Sequence, residues 1–152
     1  MFKWLKHKAE DYFSIQEKQT IAHAIHQVEL QTSGEVRVYV ESKCRYVDAM
    51  DRAKEIFDKL DMHKTEAKNA VLVYVAIKDR QVAIYADEGI YKKMGIQFWN
   101  NELQLMIQNF KNEHIVEGII KVIHDLGTAL TTHFPYQKDD INELPNEVVF
   151  GK

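Results

Sequence analysis

The chain has 152 residues, 45% of them apolar and 28% charged, with a net charge of −3. That is enough chain for one domain with a core of its own, and the charge leaves no general field for nucleic acid. A single cysteine, Cys44, excludes a disulfide framework and points to a reducing compartment.

The start, MFKWLKHKAEDYF, sets Lys3, Lys6 and Lys8 beside Phe2, Leu5, Ala9 and Tyr12 at near-helical spacing. It lacks the apolar stretch of a secretory signal, and no run reaches the roughly 18 apolar residues of a membrane span. The expected location is therefore cytoplasmic. Residues 1–13 are read as a basic amphipathic segment that packs back on its domain, with a weak membrane-surface contact as the lesser alternative. Residues 14–134 form the domain. Residues 135–152, which hold both prolines, form a tail on or near it.

Ser14 followed by Glu17 is a capping box that opens the first helix. Ile21, Ile25 and Val28 give it an apolar stripe, and it should end by Thr32–Gly34, where Gly breaks it. A strand follows over Glu35–Glu41, with Val36, Val38 and Val40 on one face. Asp48 caps a second helix striped by Ala49, Ala53, Ile56 and Leu60. AVLVYVAI, residues 70–77, has no polar side and suits a strand covered on both faces. A two-residue turn around Lys78–Arg80 leads into a third strand that ends at Asp87. Two more helices are marked by Trp99, Leu103, Met106 and Phe110, then by Ile115, Ile119, Val122, Leu126 and Leu130. A short edge strand over Glu147–Phe150 completes the set.

Strand–helix–strand implies a right-handed crossover and a parallel pair, and the hairpin adds an antiparallel third strand. The expected fold class is α/β: a three-layer α/β/α sandwich with a mixed central sheet and helices on both faces. This order has a geometric consequence. The first two strands begin at the same end of the sheet, and the third returns to it. Glu35, Asn69, Asp87 and Glu88 should gather at one rim. Gly34 is expected to let the chain turn there, and the Gly34 carbonyl and the Thr65 hydroxyl can add oxygens. Such a set suits Ca²⁺ or Mg²⁺, which take oxygen ligands, rather than Zn²⁺. Asp139 and Asp140 join it if the tail folds back. Against this stand two plainer roles: Glu35 pairing with Arg37, and Asp87 capping the next helix.

TSGEVRVYVE, then DAxxRAxxxFxxLxM, then NAVLVYVAIKDRQVAIYADEGI resemble the TPM domain family. HFP and NELPNEVVFG in the tail are similar to its stand-alone bacterial members. The likeness spans residues 15–150. It implies the same sandwich, calcium binding as in some members, and a weak acid phosphatase activity as in some plant members. Many bacterial members have no established activity. Glu35 falls where the family has its SGE acid, and Asp87 and Gly89 fall in its glycine-rich loop.

No HExxH, P-loop, GxGxxG or GxSxG is present in the sequence. His23 and His26 stand three apart on the first helix, without a second pair, and read as a solvated face. Cys44 beside Arg45 reads as ordinary. The favoured expectation is a monomeric, calcium- or magnesium-binding, non-enzymatic module with an unidentified protein partner and no catalytic residues. The alternative is a metal-dependent phosphatase of low activity on phosphate monoesters, with Lys68 as the one cation near the rim.

Overall fold

A computed structural model describes residues 8–137 and 148–151. Residues 1–7 and the tail acids Asp139 and Asp140 lie outside them.

Helix α1 spans Ile15–Glu29 and opens on the expected capping box. Ser14 accepts from the Glu17 amide, and Glu17 reaches back to the Ser14 amide. Strand β1 covers Glu35–Glu41. Helix α2, Ala49–Lys59, is capped by Asp48, whose carboxylate accepts from the Met50 amide. Strands β2, Ala70–Ala76, and β3, Gln81–Ala86, form the hairpin. Helices α3, Glu88–Met94, α4, Ile96–Lys111, and α5, Ile115–His133, follow. Strand β4 is Val149–Phe150.

The sheet order is β3-β2-β1-β4. Both β2 and β4 lie parallel to β1, and β3 is antiparallel to β2. Alternation divides the sheet cleanly. Val36, Val38, Val40, Val71, Val73, Val75 and Ile84 pack against α1, α4 and α5 in the larger core. Ala70, Leu72, Tyr74, Ala76 and Ala83 pack against Ala53, Ile56 and Phe57 of α2 in the smaller one. The three-layer sandwich is therefore present, with β2 buried at every position.

Residues 8–13 and 148–151 meet on this frame. Ala9 and Phe13 are buried in the larger core, and the Phe13 ring lies 5.9 Å from that of Phe150. Residues 8–13 thus pack back on the domain, and the tail returns to pair with β1.

Three local expectations need correction. The hairpin turn is four residues, Ile77–Arg80, because Ala76 pairs with Gln81. The Ile77 and Lys78 amides donate to Glu41 and Ser42 carbonyls, which prolongs the pairing with β1, and Arg80 closes the turn at φ 52°. Three helices, not two, follow β3, since Gly95 at φ 79° separates α3 from α4. Gly34 does not have a positive φ. It is needed for close approach: a Cβ there would stand 2.6 Å from Leu130 Cδ2 and 3.2 Å from the Asn69 carbonyl oxygen.

Candidate functional site

Three backbone segments converge at the end of the sheet where β1 and β2 begin. The Glu35 amide donates to the Asn69 carbonyl at 3.3 Å, and the Asp87 amide to the Ala70 carbonyl at 2.9 Å. The Ile90 amide donates to the Lys68 carbonyl at 3.2 Å. The rim expected from topology exists, and parallel β1–β2 with antiparallel β3 is what assembles it.

Register fixes which side of the sheet the acids occupy. Glu35 is paired with Ala70, and the Asp87–Ala70 bond continues the β2–β3 ladder. Glu35, Ala70 and Asp87 therefore form a row across three strands, on the α2 side. Two strand spacings put the acid backbones about 10 Å apart, with only an Ala methyl between them. The α2 side is confirmed at Tyr85, two residues before Asp87. Burial raises its phenol above the ordinary value, and the Asp87 and Asp58 carboxylates add to that.

The acids differ in environment. Glu35 is 3% exposed, and Arg37 shares its face. Burial pulls the Arg37 guanidinium below its ordinary value, while the Glu29 and Glu35 carboxylates act to raise it. Asp87 caps α3, its Oδ1 accepting from the Glu88 amide at 2.8 Å. Its Oδ2 is buried and has no hydrogen-bond partner among the described residues. Asn69 and Thr65 are both buried, the Asn69 amide donating to Thr65 Oγ1 at 3.4 Å. Glu88 is exposed and lies on the lip. The segments that carry Glu35, Thr65 with Asn69, and Asp87 thus meet at one rim through backbone bonds, with Glu35 and Asp87 on either side of Ala70. Among the described residues, no group of three or more His, Cys, Asp or Glu side chains is arranged to hold a metal ion.

Beside the rim lies an open hollow of about 440 Å³, lined by Ala67, Lys68, Glu88, Gly89, Lys92 and Lys93. Gly89 makes it possible. A Cβ at this position would fall 2.2 Å from the Ala67 carbonyl oxygen and 2.5 Å from that of Lys68. Both are backbone atoms and cannot rotate away, and Lys68 already sits at φ 53°. Gly89→Ala should cost roughly 1–3 kcal/mol, the usual range for overpacking. A urea melt with an unchanged midpoint would show that the loop yields freely.

Lys92 and Lys93 line this hollow and are not among the residues expected from the sequence. The signal was present: an Asp cap at Asp87 starts a helix that brings both lysines round beside Glu88 one turn later.

At the far end of β1, Glu41 is buried and bonded twice to Arg52, Oε2 to Nε and Oε1 to Nη2, each at 2.8 Å. Tyr74 donates its hydroxyl to Glu41, Arg52 also bonds Glu55, and Tyr46 donates to Glu55. These groups satisfy one another. Cys44 is buried beside them, its amide bonded to Asp79.

A TPM domain model matches residues 7–129. The chain belongs to the TPM domain family. The NMR structure of BA42 from the psychrophilic bacterium Bizionia argentinensis is 36% identical. It superposes with a TM-score of 0.85, over 99% of this chain and 100% of that one. The N-terminal domain of a Corynebacterium glutamicum protein shares the fold at 13% identity and a TM-score of 0.65, covering 88% of this chain and 82% of that one. The N-terminal domain of a P. gingivalis protein does so at 11% identity and a TM-score of 0.66, over 82% of each chain. No curated protein matches the chain. Among the described residues of this TPM domain, no helix is long and apolar enough to cross a membrane.

Proposed function

We infer that this TPM domain is a non-enzymatic interaction module that takes a calcium or magnesium ion at the rim and offers the ordered loops to a protein partner. The observation that carries the reading is the buried Asp87 Oδ2, which has no hydrogen-bond partner among the described residues. A buried carboxylate oxygen left unpaired is costly, and a cation relieves that cost. The chemistry of the donors, though not a preformed cluster, suits a hard ion. Asp87, Glu35, Asn69 and Glu88 would hold it, with the Thr65 hydroxyl and the Gly34 carbonyl in support. All of these are oxygen donors, as such ions prefer. The ion would supply charge compensation and tie together three segments that no covalent link joins.

The test is thermal. A ligand that binds only the folded state raises the melting temperature as its concentration passes its dissociation constant. Calcium or magnesium at millimolar levels should raise the melting point of the parent chain and leave that of Asp87→Ala in place. An equal response of both proteins, or of neither, would sink the reading.

A second reading, a metal-dependent phosphatase of low activity, gains from one observation. Lys92 and Lys93 join Lys68 around the hollow, giving a cluster of cations where phosphoryl charge needs stabilisation. In this reading Lys92→Ala/Lys93→Ala lowers hydrolysis of an aryl phosphate, as Asp87→Ala does. No turnover above buffer across several phosphate esters removes it.

A further inference from the structure

We propose that the corner joining α3 to α4 docks on membrane surfaces that carry anionic lipid. The corner reads YKKMGI, residues 91–96. Tyr91 is 41% exposed and Ile96 is 65% exposed. Lys92 and Lys93 stand exposed between them, and Lys68 faces the same hollow. Glu88 is the one acid lining that hollow, and the first turn of α4 has none. In a chain of net charge −3 this is a local reversal of sign.

The corner is also firm. The Trp99 ring stacks beside that of Tyr91, with centroids 6.0 Å apart and planes 8° from parallel. The Trp99 indole donates to the Tyr91 carbonyl at 3.2 Å. Gly95 turns the chain at φ 79°, and a Cβ added there would meet nothing within 4 Å, so the turn projects into solvent.

These features complement an anionic bilayer. Lysines are drawn to its negative surface potential, Tyr suits the headgroup level, and an aliphatic side chain at a projecting tip gains by entering the acyl boundary. An acidic protein would satisfy the lysines but offers nothing particular to Ile96. The proposal rests on residues 91–96 and not on residues 1–13, and it does not depend on a rim cation.

The test is sedimentation of the full chain with vesicles of phosphatidylcholine, with and without phosphatidylserine, at low salt and with EDTA present. The chain should sediment with the anionic vesicles alone. Lys92→Glu/Lys93→Glu should weaken that binding about tenfold or more, as expected for two lysines lost from the contact, and Ile96→Asp should weaken it too. Each variant should melt with the parent chain, because the altered side chains are exposed. Lys3→Glu/Lys6→Glu should leave binding intact. Absence of sedimentation overturns the proposal, as does a loss that follows Lys3 and Lys6 instead. Capture of poly-glutamate without vesicle binding overturns it in favour of an acidic protein.

Discussion

Glu102→Gln makes the fold less sensitive to rising pH, and the gain grows between about pH 4.5 and pH 8. Glu102 lies on α4 facing α5, 7% exposed, with one carboxyl oxygen lacking a hydrogen-bond partner among the described residues. Burial pushes its carboxyl up to about 8 from an ordinary 4.5, helped by a hydrogen bond to Asp125 and by the charge of Asp125. Lys121 acts the other way, more weakly. Protonated, Glu102 donates to the Asp125 carboxylate across the helix pair.

The sign follows from proton counting. Above pH 4.5 the unfolded chain releases this proton, while the folded chain keeps it until about pH 8. The folded state binds more protons, so stability falls as pH rises through that window, by at most roughly 1.4 kcal/mol per pH unit. Gln cannot ionise and keeps a donor for Asp125. Urea midpoints of the two proteins should lie close together at pH 5 and diverge in favour of the variant at pH 8. Parallel curves would show that Glu102 does not titrate in this range.

Arg52→Met should destabilise the domain by roughly 3–5 kcal/mol, the usual result of stripping one partner from a buried ion pair. Glu41 would keep only the Tyr74 hydroxyl in a site where its side chain is 8% exposed. The bidentate bond to Glu41 is the leading reason that the Arg52 guanidinium is held above its ordinary value, with burial opposing it. Glu55→Ala, which removes the more exposed partner of Arg52, should have a small effect. Urea melts of Arg52→Met, Glu41→Gln and the double variant measure the coupling. Additive losses would mean that the pair contributes nothing as a pair. This network sits at the opposite end of β1 from the rim, so none of the three changes should alter the response to calcium.

The parts legible in the sequence were those with local or periodic signals. The Ser14–Glu17 box, the Asp48 cap and the unbroken apolar run of β2 each named their element, and the order of elements placed Glu35, Asn69 and Asp87 at one rim. What escaped notice depended on partners distant in sequence. Glu35, Arg37 and Glu41 alternate with valines, a pattern that by itself does not mark their face of β1 as buried, yet all three are buried. Glu41 is satisfied by Arg52, which lies on a helix packed over the sheet. Glu102 is a charged residue beside the apolar positions Trp99, Leu103 and Met106, and nothing local marks it as interior. It is buried, while Leu103 stays partly exposed. Helix α3 was missed because it is short and Gly95 cuts it from α4, and with it went Lys92 and Lys93. Gly34 and Gly89 gave no hint that carbonyl oxygens of another loop approach them.

The cation at the rim is tested most directly by amide NMR during a calcium titration. Saturable shifts should concentrate at Gly34–Glu35, Asn69 and Asp87–Gly89, with the Arg52 network at the far end of β1 unmoved, and Asp87→Ala should abolish them. Spectra unchanged at millimolar calcium and magnesium would contradict the cation, and Glu35 would then be a buried partner of Arg37 and nothing more.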